Sequence, residues 1–383
     1  MPKSLAYAVF VLITAGAVYG AMQTFGERDA SVAEESGELL FPGLKGAINS
    51  TGTLKGVGPE GSYTLVHTDG AWLMSEKANF PADQTKVKQM LLGIAGMELR
   101  EKKTRKPEKY AKLGLAEPGK DGSKAQRVTI LSDNGEVMAD VILGNAKVAR
   151  GVPNMEEIYV RTPDEKQSWM ALANIPRIVE PVDWLDDNLV QLDDQRVREV
   201  SVDFGDGEVV RVKRVAGVGR GYELQDVPAG REIESEFVVR NVASTLTRLA
   251  LDDVSKAEGE LAGESPITFV IETYDGLKVS MATVKVKDDR VLRLTAEKIA
   301  AQAVPEGAQQ ATRDEDKVTV QSEEEVTKEV AALNKRWAGY TFELGDWRLA
   351  PSYKRMEGLL KAPETGDAGG ATPATPSPLA PKN

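Results

Sequence analysis

Two periodicities alternate along the chain. Val128 and Ile130, and again Val200, Val202 and Phe204, sit at every second position between polar neighbours, the pattern of half-buried strands. Asp69-Gly70, Asn134-Gly135, Asp206-Gly207 and Asp275-Gly276 punctuate such runs, and these dipeptides supply the positive φ angles of tight hairpins. Antiparallel pairing is therefore expected. Helical stripes are fewer. Val87, Met90, Leu91 and Ile94 form one face, entered through Pro81 and Asp83. Val238, Val242, Leu246 and Leu249 form a second and Val326, Val330, Leu333 and Trp337 a third. Tyr353, Met356 and Leu360 form a short fourth behind Pro351.

The elements recur in one order. Strands turning at Glu60-Gly61, Ser62–His67 and Ala71–Ser75 lead into a helix near 83–97. Strands Arg198–Phe204, Glu208–Arg214 and Tyr222–Asp226 lead into a helix near 235–250. A further hairpin follows each helix: Arg127–Leu131 with Val137–Leu143, and Ile267–Thr273 with Lys278–Val284. This predicts an α+β chain of two similar modules, each of antiparallel hairpins with packed helices, over 39–180 and 181–360. The stretch Pro181–Leu189 joins them and carries Trp184, so it is expected to hold the modules together.

The ends differ from the body. Ser4 to Met22 contains no charged residue and as a helix is roughly 28 Å long, close to the ~30 Å hydrocarbon core of a bilayer. Residues 1–22 are expected to be a retained N-terminal transmembrane helix, the start inside and the body translocated. A signal peptide cleaved near Ala21 and a buried core helix are the other readings. Gly16 and Gly20 form a small-xxx-small pair, a possible contact with another membrane helix; chance spacing in an Ala/Gly-rich span is the plainer account. Residues 23–38 read as a polar linker. Residues 361–383, with five prolines from Pro363 to Pro381, read as a disordered tail.

Composition narrows the chemistry. With 48 Lys and Arg against 59 Asp and Glu the net charge is −11, which excludes a general nucleic-acid binder. Without cysteine there are no disulfides, thiolate metal sites, cysteine nucleophiles or lipidated cysteine. The lone histidine, His67, ends a strand behind Tyr63 and Leu65 and reads as a packed or surface residue. Gly114–Lys120 fits a phosphate loop until Asp121 replaces the Ser or Thr needed for magnesium, and no helix start follows. Gly217, Gly219 and Gly221 lie between two strands, so they read as a loop. Asp186-Asp187, Asp193-Asp194, Asp288-Asp289 and Asp314-Glu315-Asp316 read as solvated loop carboxylates, since acid–base work needs carboxylates across a cleft. No catalytic, cofactor or metal residue is assigned. The basic run Arg100-Glu-Lys102-Lys103-Thr-Arg105-Lys106 reads as a solvated edge after the first helix, or as a docking patch for an acidic partner or lipid headgroups.

Leu40-Phe-Pro-Gly-Leu44, Gly70-Ala-Trp72, Phe80-Pro-Ala-Asp83 and Tyr110-Ala-Lys-Leu-Gly-Leu115 resemble the opening module of the domain of unknown function 4340 family. Trp184-Leu-Asp186 and the stretch from Leu333 through Trp337 to Tyr340 are similar to its later part, so the resemblance spans most of 39–345. It implies a single-pass, envelope-facing protein whose genes accompany ABC transporters of the gliding-motility type, and it supplies no catalytic residues. The expectation is a bacterial inner-membrane protein with a periplasmic body. Its role would be that of a non-enzymatic accessory or scaffold subunit, its partner the permease or auxiliary subunit of such a transporter. The alternatives are an envelope-acting enzyme with paired carboxylates and a periplasmic ligand-binding protein with an apolar pocket.

Overall fold

A computed structural model describes residues 37–215, 221–305, 308 and 317–362. The expected membrane span with Gly16 and Gly20, almost all of the linker, nearly all of the tail, Gly217, Gly219 and Asp314–Asp316 lie outside those residues. Among the described residues no helix is long and apolar enough to cross a membrane. The architecture is mixed, dominated by antiparallel sheets with few helices, and it divides into two units after Asp186.

The first unit holds β1 (Thr51–Gly58), β2 (Gly61–Thr68), β3 (Ala71–Met74), β4 (Phe80–Pro81), β5 (Glu98–Lys102), β6 (Gln126–Ser132), β7 (Val137–Val148), β8 (Glu156–Arg161) and β9 (Trp169–Ala173). They form one sheet in the order β4-β3-β2-β1-β6-β7-β8-β9-β5. Helix α1 (Gln84–Ala95) follows β4. Asp83 caps it, its carboxylate accepting from the Thr85 and Lys86 N–H groups that the first turn leaves unpaired. The predicted stripe Val87, Met90, Leu91 and Ile94 is buried, together with Leu54, Leu65 and Ile130 of the sheet. Asp69 and Gly70 both take positive φ at the β2–β3 turn, as the dipeptide predicts.

Trp184 and Leu185 are spent inside this first unit. Asp83 N–H donates to the Trp184 carbonyl and Asp186 N–H to that of Pro81. The Trp184 ring is fully buried, 5.1 Å from that of Tyr63. Residues 181–186 thus close the first unit, and the boundary falls six residues beyond the one expected at 180/181.

The second unit holds β10 (Asn188–Gln191), β11 (Val197–Asp203), β12 (Val209–Arg214), β13 (Tyr222–Leu224), β14 (Arg248–Ala250), β15 (Asp253–Lys256), β16 (Glu264–Thr273), β17 (Leu277–Val286), β18 (Asp289–Lys298) and β19 (Tyr340–Gly345). The main sheet runs β13-β12-β11-β16-β17-β18-β19-β15, with β10 and β14 paired apart. Helix α2 (Glu236–Thr247), capped by Ser235, lies between β13 and β14. Its buried face is Val239, Val242, Ala243 and Leu246. Val238 is only half-buried, and Leu249 belongs to β14: the chain leaves the helix at Arg248, which takes extended angles. Helix α3 (Glu323–Trp337) follows β18, opened by a Ser322/Glu325 capping box. Asn334 exchanges two hydrogen bonds with the backbone of Ala296 in β18, 2.9 and 2.7 Å, where a neighbouring strand would otherwise pair.

The two strand orders run parallel. Each main sheet places its first three strands as 3-2-1, then the four strands of its second half in sequence, and closes with a strand from between the helix and that half, β5 in one and β15 in the other; β4 at the start of the first sheet and the separate β10–β14 pair of the second unit have no counterpart. The β8–β9 and β18–β19 connections differ most, spanning 162–168 and 299–339.

Candidate functional site

Three places in the described residues combine polar chemistry with a defined geometry. The first is a cavity of about 340 Å³ in the first unit, lined by Asn49, Thr51, His67, Trp72, Lys88 and Leu91 among others. His67 stands at the exposed end of the face that buries Tyr63 and Leu65, and its ring lies 5.1 Å from that of Trp72. Gln84 locks the cavity wall, accepting from the Trp72 N–H at 2.9 Å and donating to the Trp72 and Ala82 carbonyls. Thr51 is buried, and among the described residues its hydroxyl has no hydrogen-bond partner, a cost of about 1–3 kcal/mol. Sequence reading singled out His67 but not Thr51, whose burial depends on the β1–β6 pairing.

The second is a charge cluster in the second unit. Arg196, buried, donates to both oxygens of Asp275 at 2.7 and 3.2 Å and to both of Glu329 at 3.0 and 2.8 Å. Asp275 also accepts from the Gln321 N–H and the Thr273 hydroxyl. Burial alone would raise the Asp275 carboxyl, but the Arg196, Thr273 and Gln321 donors outweigh it and hold the group below the usual carboxylate range. The two carboxylates face one guanidinium, which donates to both oxygens of each. The cluster fastens α3 to the β16–β17 turn. Sequence reading saw Asp275 only as a turn residue; its partners lie 79 and 46 positions away.

The third is the edge strand β5 with the segment after it, which together carry the basic run Arg100–Lys106. Arg100 pairs with Glu98 at 2.7 Å and Lys103 with Glu101 at 2.5 Å. Lys102 lies over the Trp169 ring at 5.3 Å. Among the described residues Lys102, Arg105 and Lys106 are exposed and form no ion pair.

The remaining sequence candidates are dispersed. Asp193 caps the turn beginning at Asp194 and accepts from the Thr319 hydroxyl at 2.7 Å. The Asp187 carbonyl accepts from Leu251 and that of Asp288 from Asp346. Gly114 ends a 3-10 helix (Pro107–Leu113) at φ +71°, its Cα facing Asn145, so the phosphate-loop spacing belongs to a cap. Gly119–Lys124 and Val57–Ser62 instead border an open hollow of about 530 Å³. Among the described residues no group of three or more His, Cys, Asp or Glu is placed to hold a metal ion.

No curated protein and no solved structure matches the chain. The family model described as domain of unknown function (DUF4340) matches residues 72–264, from β3 of the first unit into β16 of the second. That span is narrower than the 39–345 expected from the motifs, yet it takes in Trp72, the Phe80–Asp83 and Tyr110–Leu115 motifs and Trp184–Asp186. Covering half the chain and running through the junction of the two units, the match establishes that the chain belongs to the DUF4340 family.

Proposed function

We propose that the protein is a membrane-anchored, periplasmic accessory subunit of an ABC-type transport system, with a scaffolding rather than a catalytic role. In this reading Ser4–Met22 is retained in the inner membrane, residues 23–383 lie outside the cytoplasm, and the two units are copies of one module. The observation that carries it is how the chain enters the body. Leu99 N–H donates to the Glu38 carbonyl and Leu40 N–H to that of Met97, both at 2.9 Å, and Leu39 bridges Glu98. The first described residues are therefore built into the sheet. A tether over residues 23–36, at most roughly 50 Å when fully extended, would hold the body beside the bilayer. At that range a membrane partner meets it at high effective concentration, and a weak interface suffices. The transporter permease or auxiliary subunit follows from the resemblance to family members whose genes accompany gliding-motility-type ABC transporters. Gly16 and Gly20 offer the contact within the membrane.

Protease added to spheroplasts should digest the body while the chain resists carbonate extraction. Crosslinking in cells followed by purification in mild detergent should recover a permease or auxiliary subunit. A mature chain beginning near Ala21 would defeat the anchor. Recovery of no transporter component, with turnover of an envelope polymer by the purified chain, would replace this reading with the enzyme.

One observation favours a second reading, a ligand-binding subunit: the cavity of about 340 Å³ beside Trp72 and His67. A small polar ligand there should quench Trp72 fluorescence in the wild type and lose affinity in His67→Ala.

A further inference from the structure

The register at the chain's entry has a direction. Leu39 pairs antiparallel with Glu98, so moving from Leu39 back to Gly37 runs along β5 toward Arg100 and Lys102. Gly37 is pressed onto that strand: a Cβ there would lie 2.3 Å from the Leu99 carbonyl oxygen, so a larger residue would force the two backbones apart. The described chain thus begins on the side of the basic run. That run stands out in a chain of net charge −11. Two of its cations are matched by Glu98 and Glu101, whereas Lys102, Arg105 and Lys106 are exposed and without an ion pair among the described residues. β5 is moreover the terminal strand of its sheet, so among the described residues its outer edge beyond the Gly37–Leu40 pairing is not occupied by another strand.

We propose that this edge is a second, electrostatic membrane contact: Lys102, Arg105 and Lys106 sit on anionic lipid headgroups and orient the first unit against the bilayer. The proposal rests on the anchored reading, since it is the tether that brings these cations to the surface. Each basic side chain near an anionic surface strengthens partition roughly fivefold, so three give on the order of a hundredfold. The contact also extends only about a Debye length, ~8 Å at physiological salt, which makes it sensitive to both lipid charge and ionic strength. Carboxylates limit it: Asp164 and Glu165 lie on the connection 162–168, which hydrogen-bonds to this segment through Lys103 N–H and the Ser168 carbonyl at 2.8 Å.

The absence of cysteine permits a direct test with the full chain. A fluorophore is placed on Glu108→Cys, beside the run, or on Asn134→Cys, at the β6–β7 turn. Each protein is put into nanodiscs of phosphatidylcholine with or without phosphatidylglycerol, with a nitroxide-bearing lipid as quencher. Quenching at position 108 should exceed that at 134 severalfold in phosphatidylglycerol discs only. It should fall to the level at 134 in 0.5 M NaCl and in the triple variant K102E/R105E/K106E. The salt arm uses the unmutated run, so the test survives if the triple variant fails to fold. Equal quenching at both positions, or quenching indifferent to lipid charge and salt, would overturn the headgroup contact while leaving the anchor in place. A signal at 108 that changes only when an acidic protein is added would assign the edge to that partner, and likewise overturn it. Failure of the chain to enter the discs would remove the anchor itself, and the tether argument with it.

Discussion

Gly93 gives a prediction whose sign is decided by geometry. It lies on the buried face of α1, where replacing glycine by alanine ordinarily stabilises a helix by about 1 kcal/mol. Here a Cβ would meet the Asn174 carbonyl oxygen at 2.2 Å and the Ile175 Cγ2 at 2.6 Å. These are more than 1 Å inside normal separations, and the nearest obstacle is backbone, which cannot swing aside. The segment is also held to the helix by the Gln89 amide, which donates to Asn174 Oδ1 at 2.9 Å. Overpacking of this kind costs about 1–3 kcal/mol. Gly93→Ala should therefore lose up to about 2 kcal/mol net, because the clash offsets or exceeds the propensity gain. Gly46, in the short helix Leu44–Ala47, has nothing within 4 Å of its Cβ position, so Gly46→Ala should instead gain up to about 1 kcal/mol. The chain has two units, so hydrogen exchange read peptide by peptide across a urea series is the suitable assay, each unit reporting its own unfolding. If Gly93→Ala stabilises the first unit as Gly46→Ala does, residues 174–175 do not lie on α1.

Three further outcomes are expected. Leu246→Ala, at a fully buried position of α2, should destabilise the second unit by about 2–5 kcal/mol, and an unchanged urea midpoint there would remove the helix from the core. Asp275→Asn should cost about 1–3 kcal/mol by weakening the hydrogen bonds that the carboxylate accepts from Arg196, Thr273 and Gln321, while Glu329 still neutralises Arg196, and exchange should quicken first in α3; protection there equal to wild type would refute the clamp. Asp346 accepts from Lys285, Arg290 and Tyr353. Burial would raise its carboxyl, but those three donors prevail and take it down to about 2. A depressed carboxyl stabilises above its unfolded value and ceases to as pH falls through the folded one. The contribution should thus be complete above roughly pH 4 and disappear between about 4 and 2. Asp346→Asn should abolish that part of the acid dependence of the second unit, and an identical acid profile for variant and wild type would count against it.

What could be read without coordinates was what local chemistry decides. The four Gly-containing dipeptides all sit at strand-to-strand turns, because positive φ is a property of the residues themselves. The α1 stripe was legible because four apolar positions recur at helical spacing behind a capping Asp. Leu249 failed the same reasoning: it continues the α2 spacing, but pairing with Val190 in β10 captures it as a strand residue. Short edge strands such as β5 and β15 were missed, since their charged sequences carry no alternation and exist only through pairing with the last strand of each unit. Trp184 looked like a junction residue, yet its partners, Tyr63 and Asp83, lie more than a hundred positions back. Among site residues, His67 was visible by rarity, whereas Thr51 and the Arg196 partners became evident only once distant strands met.

The unequal connections before the last strand bear on how such a chain can lengthen. In one unit 162–168 suffices to link β8 to β9; in the other the link is 299–339 and includes α3. Entropy alone charges little for that difference, about 1.5 kcal/mol by the logarithmic law of loop closure. The greater hazard is a long excursion that wanders and leaves β19 to find its register late. Two rivets hold that excursion through α3: Glu329, midway along the helix, on Arg196 and so on the β16–β17 turn, and Asn334, in its last turn, on β18. A sequence inserted between β18 and the start of α3 inherits a docked helix, and this corner of the fold can take on new surface without disturbing the sheet beneath.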